Sequence, residues 1–249
     1  NTTYNPDWVK RYTTILEGVL PVDINIYSAK IDYTQPLDKK TKLESGLKTS
    51  YVSTHNKADY YNNLNGTLKP DYNLTNHFNY DEQISAAYVN VNRQVGKWGI
   101  QGGLRYEHTR ARGLQNGNPT RPDSSFDRNY GGFFPTLFVS YAASEKHQWS
   151  INYGRRIDRP AYQDLNPFLF FIDQYTYQAG NPFILPQYTH NAEFSHTYKG
   201  FLTSTLNYSY TKDLITETFQ QQQLGPDSLG YATVVTKGNI GKRQNAGLA

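Results

Sequence analysis

The residue types that could do chemistry in this chain are few, and their spacing works against it. The six histidines, His55, His77, His108, His147, His190 and His196, include no i, i+4 pair and no clustered acidic partners of the kind a zinc site needs. They read as interface or loop residues. Cysteine is absent, which removes disulfides and thiolate metal sites together. A nucleophile elbow of the form G-x-S-x-G is missing as well. Gly102-Gly103 and Gly131-Gly132 are not phosphate loops, because neither sits between a strand and a helix with a following Lys-Ser or Lys-Thr. Strand bending or close packing is the better use for them. No catalytic residue, metal or cofactor is expected, and the chain is not read as an enzyme.

Binding is the remaining chemistry, and one segment is built for it. From Arg159 the chain runs Arg-Pro-Ala-Tyr-Gln-Asp-Leu-Asn-Pro-Phe-Leu-Phe-Phe, then passes Tyr175, Tyr177, Gly180-Asn181-Pro182 and Leu185-Pro186 before reaching Gln187. Long loops of this kind are usually functional. Two readings compete. In one, Leu165, Phe168 and Phe171 fold back on a rim while Asn-Pro and Gly-Asn-Pro set turns. In the other, Tyr162, Phe168, Phe171, Tyr175, Tyr177 and Arg159 line a ligand mouth, since aromatic faces stack on sugars, peptides or chelates. Arg155, Arg156 and Arg159 could attract an anion, but pairing with Asp158 and Asp164 is the expected use.

Period-two alternation is the pattern that positions this loop. Between His147 and Asp158 the odd positions read His, Trp, Ile, Tyr, Arg, Ile and the even positions Gln, Ser, Asn, Gly, Arg, Asp. The segment from Trp98 repeats it, with Trp98, Ile100, Leu104 and Tyr106 against Gly99, Gln101, Arg105 and Glu107. The same rule predicts strands near 25–37, 41–55, 82–95, 132–143, 189–199, 201–217 and 230–241, about nine in all. In 82–95 the parity changes between Tyr88 and Val89, which a β-bulge would explain. Residues 1–24, with Trp8, Val19 and Leu20, are left as a strand or a loop. Connections then alternate, short at 36–40, 96–97, 144–146 and 199–200, long at 56–80, 114–130, 159–187 and 220–230. Short turns on one side and long loops on the other are the habit of an up-and-down membrane barrel.

Composition agrees with that reading. The 249 residues are 37% apolar, with a mean hydropathy of -0.73, yet 15% are aromatic, including 22 Tyr and 12 Phe. No run approaches the ~18 apolar residues of a spanning helix, while barrel strands average out in such windows. Aromatics at strand ends, Trp98, Trp149, Tyr51, Tyr106, Tyr141 and Tyr198, fit interfacial girdles. The net charge of +4 without a basic run gives no sign of nucleic-acid binding. The expected fold is all-β, an antiparallel transmembrane meander, with residues 1–249 forming part of a single outer-membrane barrel domain. Sheet edges cannot stay open in lipid, so nine strands imply further barrel on one or both sides.

The residues Gly154-Arg155-Arg156-Ile157-Asp158-Arg159-Pro160, Leu165-Asn166-Pro167-Phe168 and Gly180-Asn181-Pro182 with Leu185-Pro186 carry a resemblance. Together with Lys42-Leu43-Glu44-Ser45-Gly46 and Gly103-Leu104-Arg105-Tyr106-Glu107, this run resembles the late barrel of TonB-dependent receptors of the outer membrane protein β-barrel family found in Bacteroidetes-type bacteria. The resemblance spans about residues 25 to 220. It implies a location in the outer membrane of a Gram-negative-type bacterium, a larger barrel around an N-terminal plug, energy delivered through TonB, and a small or oligomeric ligand captured by extracellular loops. Outer-membrane lipid, plug and TonB would be the partners. No plug and no TonB box are recognisable in this sequence. The alternative is a barrel serving as a structural or interaction subunit of a surface complex, with protein partners and no active transport.

Overall fold

The computed structural model describes residues 2–4, 10–64, 66–173, 175–223 and 231–249. Trp8 and most of the expected connection 220–230 lie outside the described residues. In chain order the strands are β1 (Thr2–Tyr4), β2 (Lys10–Val19), β3 (Val22–Asp38), β4 (Thr41–Leu64), β5 (Thr67–Pro70), β6 (Asn76–Val95), β7 (Trp98–Asn116), β8 (Ser124–Ala142) and β9 (His147–Asp158). A single helical turn, α1 (Tyr162–Leu165), and a hairpin, β10 (Leu169–Asp173) and β11 (Thr176–Ala179), precede β12 (Gln187–Tyr198) and β13 (Leu202–Lys212). A second hairpin, β14 (Ile215–Gln223) and β15 (Tyr231–Asn239), precedes β16 (Lys242–Leu248).

Most of these strands form one antiparallel wall. Both β2 and β3 pair with β4, through Val19↔Asp59 and Val22↔Asn56, so they are one wall strand interrupted at Leu20-Pro21. On the other edge of β4, β5 and β6 stand in the same relation. The wall then continues through β7, β8, β9, β12, β13 and β16. Residues 1–24 are thus strand wherever described, apart from the break at Leu20-Pro21. Residues 230–241, expected as a wall strand, instead form β15 in a separate four-stranded sheet, and β16 takes the wall position. Likewise 201–217 is two strands, divided at Asp213, whose φ of 56 turns the chain out of the wall.

The bulge expected in 82–95 is absent. The β6 ladders with β4 and β7 run without a shift from Asn76 to Val95. The parity change instead means that Ile84 and Ala86 lie on the face carrying Lys48, Glu107 and Arg105, while Val89 and Val91 share the opposite face with Leu43 and Leu104. Apolar residues therefore occur on both faces of β6, which a period-two reading cannot distinguish from a slip.

Cross-strand partners share a face, so rows can be followed around the wall. At the short-turn end Trp98 stacks on Tyr141 with centroids 4.3 Å apart, and Trp149 stacks on His196 at 3.9 Å. Gly96, with φ of 57, supplies the left-handed residue of the two-residue turn beside Trp98. Above this girdle the same face carries Ile100, Val139, Ile151, Phe194 and Leu206 in one row, then Leu137, Tyr153 and Tyr208, then Leu104. Tyr106 packs on Phe133 at 5.0 Å and closes the band. From Trp98 to Tyr106 the strand has the ~9–11 residues that cross hydrocarbon. Beyond it the same face turns polar, with His108, Arg110 and Arg112 facing Asn129 and Asp127. The strands thus continue past the band as a tall extension, and residues expected as loops at 56–64, 76–80, 114–116 and 124–130 are strand.

Candidate functional site

The site grows from the end of β9. Once past Asp158 the chain turns inward, and Arg159 crosses behind β8 to reach the opposite face of β7. Its Nη2 lies 2.6 Å from Glu107 Oε2 and 2.9 Å from Thr109 Oγ1, and its Nε donates to the same hydroxyl at 3.2 Å. Arg105 Nε holds the other Glu107 oxygen at 2.5 Å. Arg159 therefore pairs, as expected, but with Glu107 and not with Asp158 or Asp164. Asp158 accepts a hydrogen bond from Gln187 at 3.1 Å, and Asp164 pairs with Lys237 at 2.9 Å. Sequence spacing could not show these partners, because both depend on which strand the loop crosses.

The motif residues of the loop form a clasp. Asn166 Oδ1 accepts the Phe168 N–H at 3.2 Å and Asn181 Oδ1 accepts the Phe183 N–H at 2.9 Å, so each Asn-Pro pair makes the same side-chain turn. The two turns are bonded together, Gly180 N–H to Asn166 O at 2.9 Å and Asn181 N–H to Asp164 O at 2.6 Å. Gly180 is required here, since a Cβ would collide with the Asn166 carbonyl. The Arg128 guanidinium donates to the carbonyls of Pro182 and Ile184, and Asn239 bonds both the N–H and the C=O of Leu185. So fastened, Leu165 and Ile184 sink into a cluster with Phe78, Tyr80 and Ala111 of the wall, with Tyr162, Phe126 and Ile215 packed around it.

Beyond the clasp, β10, β11, β15 and β14 make a second sheet, in which β11 runs parallel to β15 through Tyr177↔Val234. That pairing joins two loops more than fifty residues apart, and no local signal foretells it. One face is covered, with Ala232, Val234 and Thr236 buried. The other shows Phe170, Ile172, Phe219 and Tyr231 to solvent.

The predicted ligand-mouth residues thus separate into groups. Phe168 is buried and stacks on Tyr60 at 5.9 Å, beside Ala58. Tyr162 packs against the Phe78 cluster, and Arg159 is engaged by Glu107. Phe171 and Tyr177 meet edge to face at 5.8 Å on one side of the small sheet. Tyr175 stands at the β10–β11 turn, 58% exposed. Phe170, Ile172 and Phe219 were not singled out by sequence reasoning. The alternation of β10, with Phe170 and Ile172 in step, was the available signal.

Charge under the loop is tightly managed. Burial works against the Glu107 carboxylate, but the bonds from Arg159 and Arg105 outweigh it and hold its carboxyl below the usual range. Burial raises Glu82, whose carboxylate accepts from Tyr80 at 3.2 Å, and raises the Tyr130 phenol. Below this network a cleft of ≈660 Å³ opens between Lys30, Lys48, Tyr88, Arg105 and Phe134. Among the described residues no group of three or more His, Asp or Glu could hold a metal ion. Nor, among the described residues, is any helix long and apolar enough to cross a membrane.

Comparison with known proteins extends the picture. The model of a family described as "Outer membrane protein beta-barrel family" matches residues 1–249. No curated protein matches the sequence. Among solved structures, the copper transporter OprC aligns over 93% of this chain and 36% of its own, with 14% identity and a TM-score of 0.63. The ferric yersiniabactin uptake receptor FyuA from Yersinia pestis aligns over 93% and 37%, with 14% identity and a TM-score of 0.59. The Serratia marcescens hemophore receptor HasR, solved with its hemophore HasA and heme, aligns over 91% and 45%, with 16% identity and a TM-score of 0.53. At these identities the likeness is one of fold, and the chain spans less than half the length of each.

Proposed function

This chain belongs to the outer membrane protein beta-barrel family, and from that premise we propose that it forms part of the barrel of a TonB-dependent receptor that captures a ligand on its extracellular loops for energised uptake. It is an outer-membrane barrel wall and not an enzyme. The short turns then lie in the periplasm and the clasped loop and small sheet lie outside the cell. The observation that carries the proposal is the folding of loop 159–187 inward. Its roots are bonded to the lumen-side residues Glu107 and Thr109, while Tyr175 and the Phe170 face of the small sheet remain open to solvent. A ligand arriving at the loops would meet aromatic surface held directly over the lumen, a usual composition for a binding site.

Structural neighbours are named for copper transport, ferric yersiniabactin uptake and hemophore reception. Metal chelates are therefore the first ligands to test, followed by corrinoids, oligosaccharides and peptides. The test is accumulation of a labelled panel of these compounds in cells carrying the complete receptor, with and without TonB. Uptake of one compound that needs both TonB and Tyr175, lost in Tyr175→Ala, is expected. Equal accumulation in cells lacking TonB would sink the transport reading. A second reading, a subunit of a surface complex, is favoured by the exposed Phe170, Ile172 and Phe219 side chains on one face, a surface that suits a protein partner.

A further inference from the structure

The wall has a discontinuity between β8 and β9. The β7–β8 ladder runs for eighteen pairs, from Trp98↔Tyr141 to Gln115↔Ser124, whereas the β8–β9 ladder has seven and ends at Thr136↔Gly154. Pro135 is the next residue of β8. Its lack of an N–H breaks a ladder, and because the β7 side continues through Leu104↔Pro135 unshifted, the loss falls on the β9 side. Above this point residues 155–158 of β9 pair with 187–190 of β12 and not with β8. Those two short stretches are the roots of loop 159–187. Both strands lie in the middle of the sheet, so the gap is not an edge awaiting another strand.

Arg155 fills the gap. By alternation it follows Ile151 and Tyr153 on the lipid-facing row, where a charge would be costly. Instead its guanidinium turns into the notch. Nη1 donates to Phe133 O at 2.9 Å, and Cζ lies 4.8 Å from the Tyr188 ring and 5.6 Å from the Phe134 ring. Those rings are parallel within 10°, with centroids 6.5 Å apart, and the planar cation lies against both of them. Four residues on, Arg159 makes the second stitch, to Glu107 and Thr109 of β7. The closed seam is thus made of side chains where the rest of the wall uses backbone. It is also incompletely satisfied, since the buried Arg155 Nε has no acceptor among the described residues, a cost that favours opening.

We infer that the paired ends of β9 and β12 form a flap in the wall, closed by Arg155 packed against Phe134 and Tyr188, which swings together with loop 159–187 because no backbone ladder ties it to β8. Arg155 is a positioning residue in this device. The flap couples what happens at the loop to the width of the wall beneath it, independently of which ligand the loop takes.

These 249 residues hold no cysteine, so spin labels can be placed at chosen positions here in the complete receptor, with any cysteine elsewhere replaced, and read after reconstitution in lipid. One pair, Asn129 on β8 with Ile157 on β9, spans the seam. A second pair, Asn129 with Gln83 on β6, spans two intact ladders at the same height. In Arg155→Ala the seam distance is expected to broaden and gain a longer population while the intact pair stays unchanged. Arg155→Lys should behave like Arg155→Ala, because a lysine keeps the charge and loses the stacked fork. An unchanged seam distance in Arg155→Ala, equal broadening of both pairs, or full closure by lysine would each overturn the inference. The Asn129–Gln83 distance reports folding in every variant, and none of these outcomes depends on uptake.

Discussion

The same strands are ordered by different forces below and above Tyr106. Below it, the outward face of β7 and its neighbours is Ile100, Leu104, Leu137, Ile151 and Phe194, all substantially exposed on the protein and matched to lipid. Above it, the outward face is Arg110, Arg112 and Asp127, and the apolar residues have moved to the inward face, where Phe78, Tyr80 and Ala111 are buried by Leu165 and Ile184 of the loop. Of the buried apolar side chains among the described residues, Phe134 alone lies within the band. The membrane-level wall therefore has a solvent for a core, and the extension has to make a core of its own from its loops. Under the proposed function, the capture surface and the stability of the extension would be one structure.

The largest effect should come from breaking the extension's core. Phe78, 2% exposed, leaves a cavity when cut to alanine, and Phe78→Ala is expected to cost about 3–5 kcal/mol. Leu104→Ala at the lipid level leaves no void, because acyl chains fill the space, and should cost about 1–2 kcal/mol. Denaturant titration of the refolded protein in vesicles separates the two. Equal costs would mean that the band also relies on side-chain packing.

A second contrast uses charge. Leu137 sits near the middle of the band, and Leu137→Arg is expected to cost about 2–4 kcal/mol, while the lumen-facing Gln101→Arg costs under about 1 kcal/mol. Ile151→Arg, one row from the Trp149 girdle, should fall between them. If Gln101→Arg proved the costlier change in the same titration, the assignment of faces would be reversed. Next in size is Arg159→Ala, which leaves Glu107 without its main partner. Both side chains keep some solvent, 18% and 13%, so the loss should be about 2 kcal/mol, below that of a sealed pair. Limited proteolysis within 159–187 should accelerate, and an unchanged cleavage rate would show that the clasp holds the loop without this stitch.

Much of this was legible in the residues, for physical reasons that also mark where legibility ended. The alternation of His147–Asp158 and of the segment from Trp98 identifies both faces, since lipid demands an apolar row with little tolerance. Above the band nothing demands it. There the outward row is charged and the inward one apolar, so the extension of β4, β6, β7 and β8 looked like loop. The parity change at Tyr88–Val89 was visible but ambiguous, because Ile84 and Ala86 near the inward core imitate a slipped register. In the site, Asn166-Pro167 and Gly180-Asn181-Pro182 announced turns correctly, yet nothing local says that the two turns bond to each other. The parallel β11–β15 pairing and the Lys237–Asp164 contact are closer to invisible, being set by how two separate loops settle on the wall.

The smallest effect is a difference in sign between two carboxylates on opposite faces of the extension. On the outer face Asp127 is held below the usual carboxylate range by Arg112 at 2.7 Å and Arg110 at 3.2 Å. A depressed folded pKa contributes stability that is present above the ordinary value and is lost as pH falls through the depressed one. On the inner face Glu82 is raised by burial. Its contribution runs the other way, present below the ordinary value near 4.5 and lost as pH rises through the raised one. Acidification therefore weakens the Asp127 pair on the outer face, as it does the Glu107 pair beneath the loop, while relieving Glu82. Removing each group in turn exposes the other. Asp127→Asn should leave the extension gaining stability as pH falls through the acid range above 4.5, and Glu82→Gln should leave it losing stability as pH falls below the ordinary carboxylate value, both followed by thermal release of the 159–187 cleavage sites at low salt. Added salt should shrink the Asp127 part, which is solvent-exposed, and leave the Glu82 part in place. Should both variants show the same slope as the parent, the two faces would not differ electrostatically, and the division of the extension into a solvated outer row and a buried inner one would fail with them.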